Sequence, residues 1–160
     1  MFSFSVAFDP NKGIGIKGVL PWHIKEELQL FKKNTLNKNI LMGQTTYDKL
    51  PGKLKDRNIF VVSWEDGYQP EGVTVIKDLI EFLKEHENDE EEYIICGGAS
   101  IYTQAYPYCK KGYVSVIKEE YEVDAYLDCF NMADWNIIEQ VEYDKFMYYL
   151  LERKEDGINR

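Results

Sequence analysis

Four short segments of this 160-residue chain carry the residue types that a small-molecule enzyme needs. The first lies in the stretch 24–34, where Ile24, Leu28 and Phe31 recur at helical spacing and define an inward face, with Lys25, Gln29, Lys32 and Lys33 elsewhere. Glu27 stands three residues after Ile24 and four before Phe31, so its carboxylate projects along the apolar stripe. Glu26 turns about a hundred degrees away. An acid on an apolar face is costly unless it is paired or protonated, and such groups are often catalytic or substrate-binding. The ordinary alternative is a glutamate at the stripe's edge that reaches out to water.

The second segment is the loop from Asp9 to Trp22. Gly13, Gly15 and Gly18 alternate there with apolar residues between Pro10 and Pro21, so the backbone can come close to a ligand and act as a lid. A plain long loop would look much the same. The third and fourth are Met42-Gly43-Gln44-Thr45-Thr46 and Cys96-Gly97-Gly98-Ala99-Ser100-Ile101-Tyr102. Each ends a strand and opens a helix, which leaves N–H groups free for phosphate oxygens. Neither has the spacing of a Rossmann fingerprint or the lysine of a P-loop. Alone, each is a packing glycine; together, on one open sheet, they suggest a two-part site for a dinucleotide's phosphates.

These residues need a scaffold, and the pattern around them supplies one. Strands near 3–8, 39–42, 58–63, 73–76, 92–96 and 112–117 alternate with helices near 24–34, 44–49, 78–86 and 99–106. That order predicts an α/β fold, a largely parallel sheet covered on both faces. Two further strands, 135–143 and 146–153, are joined across Asp144-Lys145 and predict a closing antiparallel hairpin. No linker or repeat divides the chain, so residues 1–154 read as one domain and 155–160 as a flexible tail. The acidic run from Glu85 to Glu92 reads as a solvated connection after a helix rather than a metal site.

Composition narrows the partners. A net charge of −9 opposes binding to nucleic acid, since no basic stripe exists to displace counterions. Cys96, Cys109 and Cys129 are odd in number and widely spaced, which suits reduced thiols in a cytoplasmic protein. With no cysteine pair at ligand spacing and His23 far from His86, no metal is expected. The opening Met1–Phe8 has no basic n-region and reads as a strand rather than a signal, and no stretch approaches the ~20 apolar residues of a membrane span.

In order and spacing, four motifs resemble dihydrofolate reductase: Pro21-Trp22 followed by an acid before leucine, Phe31-Lys32-Lys33-Asn34-Thr35-Leu36-Asn37-Lys38, Met42-Gly43 with Thr46, and Cys96-Gly97-Gly98 with Ile101-Tyr102. The resemblance covers nearly the whole chain, and the joint occurrence makes it specific. It implies a single-domain fold with an eight-stranded sheet and a role in one-carbon and thymidylate metabolism. NADPH would be the hydride donor, with NADH weaker, and 7,8-dihydrofolate the substrate of a monomer open to antifolate inhibitors. Hydride would pass to C6 of the pterin and a water-borne proton to N5.

Carried over by position, Glu27 is the pocket carboxylate, with Trp22 and Leu20 ordering the water. Ser5, Val6, Cys96, Tyr102 and Ser115 would surround the pterin. Leu28, Phe31, Leu50 and Leu54 would hold the pterin and aminobenzoyl rings, and Lys32 and Arg57 the tail, with Arg57 clamping its α-carboxylate. Ala7, Ile14, Gly15, Gly18, Val19 and Leu20 would meet the nicotinamide. Gly43, Gln44, Thr45, Thr46, Ser63 and Lys77 would meet the rest of the cofactor, along with Gly97, Gly98, Ala99, Ser100, Ile101, Tyr102 and Gln104. The resemblance also implies a cis peptide at Gly97-Gly98.

Some positions depart from the family. Gln44, Thr45, Trp64 and Ser100 stand where members often place arginine, lysine, histidine or serine, so the preference for NADPH over NADH is expected to be small. Ser5 and Cys96 replace the usual aliphatic residues beside the pterin. Asp124 matches an acidic position with which the family holds its lid closed. The same fold also hosts a reductase of a ribosylated pyrimidine in riboflavin synthesis, which has no need of Glu27 or Arg57. A silent domain binding a nucleotide or a protein partner is a further reading.

Overall fold

Strand β1 (Phe2–Phe8) explains why the chain folds around its first residues. Side chains alternate along a strand, so Phe2, Phe4, Val6 and Phe8 enter one core while Ala7 enters another on the opposite face. A strand buried on both faces belongs at the centre of a sheet. The computed structural model describes residues 1–17, 20–52 and 54–155, and among them β1 lies between two parallel neighbours.

Those neighbours are β6 (Tyr93–Ile95) and β7 (Cys109–Ile117). Outward on one side follow β3 (Asn39–Gly43), β4 (Asn58–Val62) and β5 (Val73–Ile76); on the other lie β9 (Trp135–Glu142) and β10 (Phe146–Arg153). The eight strands take the order β5-β4-β3-β6-β1-β7-β10-β9. Only β10 runs against the other seven strands, being antiparallel to both β7 and β9. The mostly parallel sheet with a closing hairpin is therefore as expected. A second, two-stranded sheet joins β2 (Gly13–Gly15) to β8 (Ala125–Tyr126), a pairing without local signal in the sequence.

Helices cover both faces. α1 (Lys25–Thr35) and α2 (Gln44–Asp48) lie on the Ala7 side, where Ile24 precedes α1 and Leu30 and Tyr47 pack against Ile40, Met42, Ile94 and Tyr113. α3 (Leu79–His86) and α4 (Ala99–Ala105) lie on the phenylalanine side through Leu79, Leu83, Ile101 and Ala105. Asp78 caps α3 by accepting a hydrogen bond from the Glu81 N–H at 3.0 Å. Glu26 and Glu27 in the first turn of α1, with Lys32 and Lys33 in its last, complement the helix dipole. Among the described residues no helix is long and apolar enough to cross a membrane.

Two expectations change. Leu28 does not face the core: it is 42 % exposed, and the buried residues of α1 are Glu27 and Thr35. Consecutive helix positions differ by about 100°, so a helix that turns Glu27 inward must turn Leu28 to its flank. The acidic run is also not wholly solvated. Glu92, its last residue, accepts hydrogen bonds from Ser3 Oγ at 2.6 Å, Tyr113 OH at 2.8 Å and Lys38 Nζ at 2.9 Å. Burial pushes the Glu92 carboxyl up, but these three donors outweigh it and hold its pKa below the ordinary value. It thereby links β1, β7 and the residue preceding β3 at the sheet's lower edge.

The phenylalanine-side core has no slack at Gly112. A Cβ there would lie 2.7 Å from Phe4 Cζ, and Phe4 is itself wedged against Tyr106, Phe130 and Trp135. Gly112→Ala is expected to lower stability by about 1–3 kcal/mol, measured as a shift in urea midpoint at constant slope.

Candidate active site

The site grows from the C-terminal ends of the parallel strands, on the side covered by α1. Glu27, in the first turn of α1, is only 9 % exposed and has neither a cation nor a hydrogen-bond donor against it among the described residues. Burial alone raises its pKa from the ordinary 4.5 to about 7. A structural acid in such a place would be paired; this one is left ready for an incoming donor. Trp22 shares the same core as Ile24, and its indole Nε1 is buried without a partner among the described residues. A buried polar atom without a partner and a buried acid without a cation are both unusual costs, and they mark a candidate functional site.

The other residues expected around the substrate lie on β1, β7 and α4, after β6 and in the segment after α2. Ala7 on β1 and Ser115 on β7 are paired across the strands, and both are buried. Tyr102 of α4 donates its hydroxyl to the Ser5 carbonyl at 2.7 Å. Burial holds the Tyr102 phenol well above its ordinary pKa, and the Tyr102 side chain packs in the phenylalanine-side core. Cys96 follows β6; burial pushes its thiol up to about 12, against a smaller downward pull from Arg57. Leu50 and Leu54 pack part-buried against the same core, and Leu28, Phe31 and Lys32 line the flank of α1. Val6 is a correction. Its side chain enters the opposite core, because neighbours on a strand alternate, and only its main chain remains on the Glu27 side.

Arg57 sits where α1 ends. Its Nε donates to Thr35 Oγ1 at 3.2 Å and its Nη1 to the Lys55 carbonyl at 3.0 Å. Both partners are neutral. The guanidinium is thus oriented without being neutralised, which leaves a charged fork for an external carboxylate.

The phosphate-side residues also converge. β3 and β6 are parallel neighbours, and the Gly43 N–H donates to the Gly97 carbonyl at 3.0 Å, so α2 and α4 begin side by side. Neither first turn is capped by a side chain. The Gly97-Gly98 peptide is cis, as the resemblance implied. Ser63 Oγ donates to Gln44 Oε1 at 2.7 Å and accepts from the Glu65 N–H at 3.1 Å, while Lys77 Nζ donates to the Glu65 carbonyl at 2.8 Å. Gln44, Ser63 and Lys77 therefore form one cluster. Its remaining donors among the described residues are the Gln44 amide and the Lys77 ammonium protons not given to Glu65, because Ser63 has already committed its proton. Bare helix N–H groups beside an amide and an ammonium fit the phosphates of a dinucleotide.

Not every expected cofactor residue offers a side chain. Ile14 and Ile101 belong to the phenylalanine-side core, so only their main chains are free for a ligand. Ser100 and Gln104 bond to each other at 3.1 Å on the exposed side of α4. Thr45 is exposed, Thr46 and Ala99 part-buried, and Gly15 buried in β2. Gly18 and Val19 lie outside the described residues; Leu20, just after them, is 46 % exposed.

The first half of the loop that leads to Trp22 is tied down from afar. Asp124 accepts from the Lys17 N–H at 3.0 Å, and its own N–H donates to the Gly15 carbonyl at 2.9 Å. Tyr121 packs edge-on against Trp22, with ring centroids 5.3 Å apart. Tyr121 was not foreseen, since a contact spanning about a hundred residues leaves no trace in local spacing.

A mostly parallel sheet, paired helix N-termini and a buried unpaired acid define an α/β oxidoreductase of the nicotinamide-dependent class. The comparisons agree. The family model for dihydrofolate reductase matches residues 1–151. The dihydrofolate reductase of Mycoplasma genitalium is 37% identical over 147 residues, covering 89% of this chain and 91% of that one. That of Bacillus subtilis is 34% identical over 138 residues, covering 86% and 82%. Among solved structures, the Enterococcus faecalis dihydrofolate reductase complexed with NADP(H) and RAB-propyl superposes with a TM-score of 0.86, at 26% identity and 97% coverage of both chains. The chain belongs to the dihydrofolate reductase family.

The raised Glu27 pKa has a consequence for stability. Between pH 4.5 and about 7 the folded protein keeps a proton that the unfolded chain releases, so this group's contribution is fully present below 4.5 and is lost as pH rises through 7. Relative to Glu27→Gln, the unliganded protein is expected to lose about 3 kcal/mol of stability across that window. Urea denaturation of both proteins from pH 4.5 to 8 checks it. A difference independent of pH would mean that Glu27 titrates normally.

Proposed function

We propose that this protein reduces 7,8-dihydrofolate to 5,6,7,8-tetrahydrofolate with NADPH, and that Glu27 is the carboxyl on which the proton chemistry turns. The observation that carries this reading is the buried Glu27 carboxyl, which has no partner among the described residues, in a protein whose Trp22 Nε1 is likewise buried without a partner among them. Bound NADPH supplies the hydride that reaches C6 of the pterin. The chain's own residues bind and orient the ring, exclude water and manage the proton that N5 must gain.

Glu27 pairs with the 2-amino and N3 edge of the pterin, and Ser115 extends that hydrogen-bonded edge. The flat ring lies along Ala7, Leu28, Phe31 and the Ser5 and Cys96 wall. A carboxyl with a pKa near 7 exchanges protons freely at neutral pH, and its negative form raises the basicity of N5. Trp22 Nε1 donates to the water that brings the proton, beneath Leu20. Leu50 and Leu54 hold the aminobenzoyl ring, with Lys32 beside it. Arg57 takes the tail α-carboxylate in a bidentate pair, to which its unneutralised guanidinium is suited. Antifolates that carry a protonated diamino edge would meet Glu27 in the same way.

On the cofactor side, the first turns of α2 and α4 face the pyrophosphate, and Gln44, Ser63 and Lys77 surround the 2′-phosphate. Lys77 is the cation of that cluster, and its ammonium also holds the Glu65 carbonyl. NADPH is preferred over NADH, by a modest margin.

Two measurements test these assignments. Glu27→Gln should fold normally yet lose most of its turnover at pH 7, with partial recovery as pH falls and solution supplies N5-protonated substrate. Near wild-type turnover at pH 7 would remove Glu27 from the reaction. Gln44→Arg should tighten NADPH by roughly tenfold, leave NADH almost unchanged and make NADPH binding more sensitive to salt. Equal effects on both cofactors, read as dissociation constants at low and high salt, would place Gln44 away from the 2′-phosphate.

A further inference from the structure

Asp9 is fully buried, at the root of the loop that leads to Trp22. Its Oδ1 accepts hydrogen bonds from the N–H groups of Asn11 at 2.9 Å and Gly13 at 2.8 Å. Its Oδ2 accepts one from the N–H of Tyr121 at 3.1 Å, 112 residues further along the chain. The three bonds are not equivalent. Main-chain bonds between Asp9 and Gly13 at 3.0 Å, and between Lys12 and Asp9 at 2.9 Å, already close the turn that Oδ1 decorates. The Oδ2 bond instead joins two separate segments, the exit of β1 and the loop after β7. A carboxylate wholly enclosed by backbone donors is among the stronger anchors a fold can make.

The two segments meet closely at this point. A Cβ on Gly13 would lie 2.5 Å from Val123 Cγ2 and 3.0 Å from Asp9 Oδ1, so glycine is needed for the approach. The residue that receives the anchor then touches the site. The Tyr121 ring stands edge-on to Trp22 at 5.3 Å with an interplanar angle of 62°, and Trp22 carries the unpartnered Nε1. The Tyr121 hydroxyl points elsewhere, to Glu119 at 3.2 Å.

We propose that Asp9 is a positioning residue for the reduction: by binding the Tyr121 N–H it seats the Tyr121 ring against Trp22 and fixes the indole that orders the proton-bearing water. This inference rests on the assignment of Trp22 to the reaction. Asp9 does not touch substrate or cofactor; it acts through Tyr121. Losing the anchor frees the indole to rotate out of register, and misplacement of a catalytic group by an ångström suffices to slow turnover well before binding is lost.

Asp9→Asn separates the bonds. Its carboxamide oxygen still accepts from Asn11 and Gly13, while its NH2 group confronts the Tyr121 N–H, donor against donor. With the full-length enzyme, dihydrofolate and saturating NADPH at pH 7, Asp9→Asn and Tyr121→Leu are each expected to lower kcat by roughly tenfold, with KM for dihydrofolate held within about twofold. The double variant should be no slower than the slower single one, because both changes break the same chain. Tyr121→Phe, which keeps the ring, should restore wild-type kcat. Wild-type turnover in Asp9→Asn, multiplying effects in the double variant, or a defect in Tyr121→Phe equal to that in Tyr121→Leu would each overturn the proposal. Should Asp9→Asn fail to fold, Asp9→Ser takes its place: its hydroxyl can still accept from the turn N–H groups but cannot reach the Tyr121 N–H, and the same loss of kcat is expected, wild-type turnover overturning the proposal. Trp22→Phe separates this inference from the reading beneath it: a slow Trp22→Phe beside a normal Asp9→Asn overturns only the role of Asp9, whereas a normal Trp22→Phe overturns both.

Discussion

One carboxyl is kept largely out of water where no cation among the described residues answers it, and the rest of the molecule is arranged to tolerate that. Glu27 is displaced far from its ordinary ionisation by burial alone. Such a group destabilises the folded state near neutral pH, so α1 must be held against the sheet by other means. Ile24 anchors its start in the core, and Thr35 closes its end, donating to Phe31 at 2.8 Å and receiving Arg57. The helix is thus fastened at both ends, with the destabilising carboxyl in its first turn. The same turn sends Leu28 to the flank, which gives the cleft an apolar wall at the cost of core burial.

Parallel pairing does the second part of the work. When β3, β6 and β1 run the same way, their C-terminal ends form a common edge, and whatever follows each strand is delivered to that edge. Glycine after β3 and two glycines after β6 let α2 and α4 start together there, joined by the bond between Gly43 and Gly97. A dinucleotide needs donors spread over a long span, and adjacent helix starts supply them without any charged side chain. The cluster of Gln44, Ser63 and Lys77 adds a weakly cationic outpost at the sheet's outer half.

The ends of the sheet are tied by polar groups rather than by packing. At the lower edge, Glu92 collects Ser3, Lys38 and Tyr113. At the upper edge, Asp124 and the β2 and β8 pairing fasten the first half of the loop from Asp9 to Trp22 to the loop after β7. Hydrogen bonds suit this task because they fix direction as well as distance, which apolar contacts do not.

Periodicity and glycine placement already determine most of the architecture. The strand order along the chain, the closing hairpin across Asp144-Lys145 and both glycine-led helix starts are local properties, since they depend on neighbours within about ten residues. The inward projection of Glu27 is equally local, a matter of its angle relative to Ile24. That no donor meets Glu27 once it is inside is a tertiary fact, because it depends on what β1, β7 and α4 bring to the same space. The same holds for the turn of Val6 into the opposite core, the commitment of the Ser63 proton to Gln44 and the half-burial of Glu92. The contact between Trp22 and Tyr121 belongs to this group too, and so does the small sheet of β2 and β8. Each joins residues far apart in the chain, and only the packed fold sets their distance, which is why spacing along the sequence carries no record of them.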